Sequence, residues 1–253
     1  MDRVSGEAAA ARIPQRRSDR FRPGGRGASD LRAGSRRQYR IRRLRTGLAE
    51  ERSDPVPKDS PIKTVADLKG KRVALNKGSN VNYLIVKALE ANGLTYGDIV
   101  PAYLAPADAR AAFERGSVDA WVIWDPYYAA AELSLGARSI ADGTGLAPNV
   151  SFYMASRQVA EGNTEVLKAV LAAVDEIDVW IRDNRKQYAI ELAPKVGLPV
   201  EVIERGVNRA EIGAHPIDAA TLEGQQKIAD AFADLKLIPK PLRVTDAAWK
   251  VGE

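Results

Sequence analysis

The residues best suited to binding a small molecule follow a short apolar run near the middle of the chain. The run Ala120–Ile123 is typical of a strand that is covered on both faces, and Trp124, Asp125 and Tyr127 come directly after it. In open α/β sheets, ligands bind at the carboxyl ends of the strands. A carboxylate among aromatic rings at such an end therefore predicts a ligand cradle. The alternative is that Asp125 caps a following helix and that the aromatic rings belong to the core.

A second segment has the pattern of an anion site. Residues Arg72–Leu75 predict a strand and Val81–Ala91 predict a helix with one apolar face, and Gly78, Ser79 and Asn80 lie between them. Free backbone N–H groups and the helix dipole at such a helix start favour an oxyanion, for example a sulfonate, sulfate, phosphate, nitrate or carboxylate. Ordinary capping by Ser79 or Asn80 is the alternative. The segment matches neither the Walker pattern nor the dinucleotide-binding fingerprint.

The residue inventory excludes several kinds of chemistry. The chain has no Cys, so it has no thiol nucleophile, no disulfide and no cysteine metal site. His215 is the single His, which rules out a histidine-cluster metal site and argues against a Ser-His-Asp triad. No apolar run is long enough to cross a bilayer. We therefore expect a binding protein with no metal or other cofactor, and not an enzyme.

Four collinear segments carry a family resemblance: SPIKTVADLKGKRVALNKGSN, YLAPADARAAF, GSVDAWVIWDPYY and SFYMASR. They resemble the aliphatic sulfonate-binding proteins of bacterial ABC importers. These are periplasmic solute-binding proteins in the same broad group as the binders of taurine, nitrate and thiamine precursors. The resemblance extends from Pro55 to about Trp249.

This resemblance implies a two-lobed α/β protein with a periplasmic-binding-protein-like type II fold. Lobe two would cover residues 62–150, and residues 55–61 with 151–253 would belong to lobe one, which the chain re-enters through a strand at Phe152–Ala155. The implied partners are a small sulfonate and an ABC permease with its ATPase, and we expect a monomer without a specific nucleic-acid partner. The implied ligand contacts are the anion residues Gly78, Ser79 and Asn80 and the cradle residues Trp124, Asp125 and Tyr127.

The first 54 residues do not fit this family. They contain 15 Arg and 7 acidic residues, a net charge of +8, whereas the rest of the chain has 23 basic and 26 acidic residues, a net charge of −3. No helical or strand period is sustained in them. A disordered basic arm that binds nucleic acid or anionic lipid is one explanation. A targeting peptide is a second, although no apolar region follows the basic residues. The third is a gene read in the wrong frame.

Back-translation favours the third explanation. Reading one base later with freely chosen synonymous codons turns residues 31–54 into FAQAAGANIVYVAYEPASPKSEAI, which resembles lobe one of the same family and joins VPKDSPIKTV in frame. We therefore expect a frame shift near Asp54–Pro55, an intact lobe two and an incomplete lobe one. As written, the chain lacks a signal peptide and would remain cytoplasmic, whereas its relatives are exported. A truncated product that does not bind ligand is the alternative to a functional protein.

Four helices are predicted after the return strand. They cover Glu165–Trp180, Asn184–Leu192, Pro199–Arg209 and Asp218–Leu235. The second should end before Pro194, because proline cannot donate a helical hydrogen bond. In the first helix, the apolar face should consist of Val166, Ala169, Val170, Ala173, Ile177 and Trp180. If lobe one lacks its amino-terminal strands, we expect such faces to be exposed.

Overall fold

The computed structural model describes residues 21–24, 39–47 and 52–248. Its strands are β1 (Phe21–Gly24), β2 (Tyr39–Gly47), β3 (Arg52–Val56), β4 (Arg72–Leu75), β5 (Val100–Tyr103), β6 (Ala120–Trp121), β7 (Ile123–Trp124), β8 (Arg138–Asp142), β9 (Asn149–Ser156) and β10 (Ala214–Pro216). Its helices are α1 (Asn80–Ala91), α2 (Pro106–Glu114), α3 (Tyr127–Leu135), α4 (Arg157–Gly162), α5 (Thr164–Asp183), α6 (Arg185–Val196), α7 (Val200–Arg209) and α8 (Ala219–Asp234).

The strands form three sheets. Strand β4 lies between β5 and β6 in a parallel sheet, and β3 lies between β7 and β8 in an antiparallel one. Only Val122 separates β6 from β7, so the chain passes directly from the parallel sheet to the antiparallel one. The third sheet has the order β1-β9-β2-β10. This α/β architecture agrees with the fold class that the family resemblance implies.

The parallel sheet owes its stability to burial on both faces. Val73, Ala74 and Leu75 of β4 are fully buried, as expected for a short apolar strand between layers of helices. Helix α1 contributes Leu84, Ile85 and further apolar residues to the largest core cluster. A second cluster around Trp121 joins α2, β6 and α3. The strands and helices that flank the two predicted ligand-binding segments are therefore anchored in these two core clusters.

Most elements lie where the sequence places them. Helix Pro106–Glu114 and strand Arg72–Leu75 have the predicted bounds, and the predicted strand Ala120–Ile123 is present as the two short strands β6 and β7. The predicted end of α6 was wrong. The helix continues through Pro194 to Val196 and ends at Gly197, whose φ of 73° is left-handed. Pro194 lies in the last turn, so the helix extends only two residues beyond the hydrogen bond that the proline cannot donate.

Helix α5 buries a different face from the predicted one. Val166 and Ile177, which belong to the predicted apolar face, are 58% and 56% exposed. Leu167, Leu171 and Ile181 are buried instead. Both faces of α5 are rich in apolar residues, so periodicity alone could not choose between them. The cluster that α5 forms with β9 and α4 has only four buried members among the described residues: Ala155, Ala160, Leu167 and Leu171.

Strands β1 and β2 lie within the Arg-rich segment, where the sequence pattern did not predict them. Both pair with β9 in antiparallel register. The alternative reading frame spells IVYVAYEPA across residues 39–47, the range of β2. That string is rich in β-branched and aromatic residues, which favour strands. The frame shift itself stays a prediction.

The last helices contact elements of the predicted lobe two. Phe232 of α8 is fully buried, and its ring lies edge-on to Tyr83 of α1 with 6.4 Å between the ring centroids. Val202 of α7 packs with Ala129 and Ala130 of α3. The proposed division into lobes by residue range is still a prediction, but these contacts make the carboxyl-terminal helices part of the core around the parallel sheet.

Candidate functional site

The topology brings the two predicted ligand segments to the same edge of the parallel sheet. Strand β6 pairs with β4 so that Trp121 lies beside Ala74, and the Val122 N–H donates to Ala74 O at 2.8 Å. Residues 76–80 follow β4, and Trp124 ends β7, three residues after β6. Because β4 and β6 are adjacent parallel strands, residues 76–80 and residues 122–124 both follow the carboxyl ends of neighbouring strands at one edge of the sheet.

The start of α1 is held by side chains as well as by the backbone. Gly78 has a φ of 70°, a left-handed conformation that favours glycine. Its N–H donates to Asn82 Oδ1 at 3.0 Å. Ser79 is 3% exposed, and its hydroxyl donates to Asn76 O at 2.7 Å. Ser79 occupies the N-cap position but its side chain caps no amide, so the simple capping explanation does not account for it.

Asn80 connects α1 to strand β9. Its Nδ2 donates to Oδ1 of Asn149, the first residue of β9, at 3.2 Å. Its own Oδ1 accepts the Val81 N–H at 3.0 Å. Within residues 52–248, the Asn80 N–H donates to no backbone carbonyl of the segment that precedes α1. This amide is therefore the backbone donor at the start of α1 that is best placed to receive an anion.

Asn82 is a site residue that the sequence analysis missed. It is fully buried, and besides accepting from Gly78 it donates through Nδ2 to Tyr96 Oη at 3.2 Å. Burial raises the pKa of the Tyr96 phenol above its ordinary value. A polar residue on the apolar face of α1 was the available signal, because a buried amide needs a partner. Asn82 thus fixes the left-handed turn at Gly78.

The cradle residue Trp124 lies between two core clusters, and the cradle residue Tyr127 packs against one of them. Trp124 is partly buried and packs against both the α1 cluster and the Trp121 cluster. Tyr127 begins α3 and is a partly buried member of the Trp121 cluster. Their partial exposure leaves aromatic surface at the sheet edge, as a cradle requires.

Asp125 has a side chain that is almost entirely shielded from solvent. Its side chain is 7% exposed, and Oδ1 accepts the Ala129 N–H of α3 at 2.9 Å. Oδ2 lies 3.4 Å from Arg209 Nη1. Burial raises the pKa of Asp125 to about 6, against the opposing influence of the Arg209 guanidinium. Asp125 thus accepts an N–H from the first turn of α3, although Pro126 and not Asp125 occupies the N-cap position of that helix. A direct contact between Asp125 and a ligand stays a prediction.

A metal-binding cluster or a membrane-spanning helix would each change the interpretation of the site. In the part of the chain that the structure describes, no group of three or more His, Asp or Glu side chains is placed to hold a metal ion. Among the same residues, none of the helices combines the length and apolar character needed to span a bilayer.

Comparison with known proteins places the chain in a family. Residues 37–178 match the family model described as NMT1/THI5 like. A curated relative from Escherichia coli K12, the putative aliphatic sulfonates-binding protein, is 46% identical over 196 residues, which is 77% of this chain and 61% of the relative. The chain thus spans about three fifths of that relative's length.

Solved structures of similar proteins include two sulfonate-binding proteins. The periplasmic aliphatic sulphonate-binding protein from Escherichia coli has a TM-score of 0.76 and 42% identity, over 82% of this chain and 69% of that one. The alkanesulfonate-binding protein from Xanthomonas axonopodis pv. citri, bound to MOPS, has a TM-score of 0.74 and 38% identity, over 82% and 73% of the two chains. The chain therefore belongs to the NMT1/THI5-like family and, within it, is similar to the aliphatic sulfonate-binding proteins.

Proposed function

We propose that this chain is the solute-binding component of an ABC importer and that it binds aliphatic sulfonates for sulfur acquisition. The observation that supports the proposal is that residues 76–80 follow β4 and Trp124 follows its parallel neighbour β6, so that an anion-type helix start and an aromatic segment are at the same edge of the sheet. The names of the similar proteins support the same ligand class. We also propose that the protein acts as a monomer in the periplasm and delivers its ligand to a permease with its ATPase.

In this proposal, the sulfonate head lies against the backbone at Gly78, Ser79 and Asn80. A sulfonate stays ionised at physiological pH, so the protein has to supply only hydrogen-bond donors and the helix dipole. The alkyl chain lies against Trp124 and Tyr127. Asp125 does not touch the anion, because two negative charges would repel each other. A ligand that contacts both lobes stabilises the closed form by its higher affinity for that form, and a permease would recognise this state.

A thermal melt with a ligand panel tests the proposal. The panel contains alkanesulfonates, taurine, sulfate and nitrate at matched ionic strength. We expect the midpoint to rise with an alkanesulfonate and to rise further with its concentration, because a ligand that binds only the folded state stabilises it. A rise with taurine or nitrate alone would favour a related binder instead. A broad transition that no ligand moves would favour the truncated, non-binding product.

Ser79→Ala should weaken sulfonate binding by about threefold to tenfold, the size expected for one hydrogen bond. The substitution removes the hydroxyl that donates to Asn76 O and so loosens the turn that presents the expected anion-binding backbone. Isothermal titration calorimetry with an alkanesulfonate measures the change. Ser134→Ala is a matched control, because the Ser134 hydroxyl makes a similar bond to Ala130 O within α3. Equal dissociation constants for wild type and Ser79→Ala would remove Ser79 from the site.

A further inference from the structure

Helix α7 packs directly behind the cradle segment. A Cβ atom added to Gly206 would lie 3.2 Å from Asp125 Cβ and 3.6 Å from Pro126 Cα. The first distance is tighter than most Cβ contacts and the second is an ordinary van der Waals contact, so the backbone of α7 lies close against Asp125 and Pro126. A side chain at position 206 would require Asp125 to shift by a few tenths of an ångström.

One side chain of α7 contacts residues on both sides of Tyr127. Arg209 is 17% exposed, and its Nη1 lies 3.4 Å from Asp125 Oδ2. Its guanidinium carbon lies 4.4 Å from the centre of the Tyr128 ring, within the range of a cation–π contact. Its Nη2 also donates to Glu132 Oε2. Arg209 therefore contacts the Asp125 carboxylate just before α3, the Tyr128 ring in the first turn of α3 and the Glu132 carboxylate one turn later.

The second carboxylate strengthens this arrangement. Glu132 accepts from Arg205 Nε at 3.0 Å and from Arg205 Nη2 at 3.3 Å in addition to its bond with Arg209. Burial alone would raise the pKa of Glu132, but the hydrogen bonds from the two guanidinium groups lower it overall. Glu132 thus stays charged and keeps Arg209 oriented toward Asp125. Arg205 is more exposed, at 45%, and its described ion pairs involve Glu132 and not Asp125.

We infer that Arg209 is a positioning residue for the ligand cradle, clamping Asp125 and Tyr128 so that Trp124 and Tyr127 are in place before the ligand arrives. This inference rests on the proposed function. Side chains that are already ordered lose less entropy when a ligand binds, so the clamp should increase affinity without touching the ligand. Pairing with Arg209 also offsets the negative charge of Asp125, which would otherwise oppose an anion nearby.

Arg209→Ala tests the clamp, and Arg205→Ala is the matched control from the previous turn of α7. The first measurement needs no ligand and follows hydrogen exchange of the Ala129 amide, which donates to Asp125 Oδ1. We expect at least tenfold faster exchange across residues 124–132 in Arg209→Ala, less than threefold in Arg205→Ala, and unchanged exchange in β4 and α1 for both. A purely structural role would accelerate exchange in all elements together.

The second measurement is the dissociation constant for hexanesulfonate. We expect Arg209→Ala to weaken binding at least tenfold and Arg205→Ala to change it less than twofold. Unchanged exchange at Ala129, or equal affinities for Arg209→Ala and wild type, would overturn the inference and leave the proposed function intact. Wild-type protein that binds no sulfonate would overturn the proposed function, and the ligand-binding part of the inference with it.

Two milder variants cover the case in which Arg209→Ala does not fold. Arg209→Lys keeps the charge but loses the forked pairing with two carboxylates, so it should weaken binding by about as much as Arg209→Ala. Gly206→Ala places a methyl group against Asp125 and should weaken binding several-fold while the helix itself becomes more stable. Wild-type affinity in both of these variants would contradict a positioning role for α7.

Discussion

Asp54→Asn should stabilise the folded protein by about 2 to 4 kcal/mol at pH 8, a large gain for a single substitution. Asp54 is fully buried in β3, and neither of its carboxylate oxygens has a hydrogen-bond partner within the described residues. Burial raises its pKa to about 7, nearby Arg52 opposes the rise, and Asp142 adds to it. Asparagine resembles the protonated acid in shape and avoids the cost of a buried charge. Urea denaturation at pH 8 measures the difference.

Asp59→Asn provides the control for this comparison. Asp59 lies five residues further along and is exposed, so its substitution should change the free energy of unfolding by less than about 0.5 kcal/mol. A wild-type protein as stable as Asp54→Asn at pH 8 would mean that the carboxylate is solvated or paired. The alternative reading frame places Ile at position 54. If Asp54→Asn stabilises the protein, position 54 disfavours a charge, as expected for a position that an apolar residue would occupy.

The pH dependence of stability tests the same buried group independently. The folded-state pKa of Asp54, about 7, lies above the ordinary 3.8. Folding therefore favours the protonated acid, and the contribution is complete below about pH 4 and is lost as the pH rises through about 7. We expect the free energy of unfolding of the wild type to fall between pH 5 and pH 8. Asp125, whose pKa is also raised, should contribute to this fall in the same direction. In Asp54→Asn this loss should be much smaller, which urea denaturation at both pH values measures.

Phe232→Ala should destabilise the protein by about 3 to 5 kcal/mol, the usual cost of removing a fully buried aromatic side chain. Phe232 of α8 belongs to the same core cluster as Leu84 and Ile85 of α1 and contacts Tyr83 edge-on. The cavity would therefore open in the core beneath the parallel sheet, although Phe232 lies 149 residues after Tyr83 of α1 in the chain. Chemical denaturation measures the loss.

Ile177→Ala is the matched control for this prediction. Ile177 is also an apolar residue of a carboxyl-terminal helix, but it is 56% exposed. Removing part of an exposed side chain should cost less than about 1 kcal/mol. If Phe232→Ala were as mild as Ile177→Ala, α8 would not be docked on α1, and the carboxyl-terminal helices would belong with lobe one alone.

Local signals were sufficient for most elements of this chain. Pro106 at the first position of α2 and Gly116 just beyond its end bracket a helix whose bounds are those predicted. The same holds for the strand β4, whose apolar run is bounded by a charged turn. Pro194 misled the prediction because proline usually marks the end of a helix, whereas here the helix continues to Val196 and a left-handed Gly197 ends it. In α5 two apolar faces competed, and only the neighbouring elements could decide which one is buried.

The sequence by itself determined the anion-type start of α1, the aromatic strand end at Trp124 and the order of strands and helices between them, because caps, turns and hydrophobic periods act over a few residues. The motifs that resemble the sulfonate-binding family lie in those same segments. Only the tertiary structure decided that α8 completes the core on α1, that Asn82 holds Gly78, and that Arg209 reaches Asp125. Those contacts join parts of the chain, or faces of a helix, whose meeting depends on how whole elements pack. No local pattern encodes that packing.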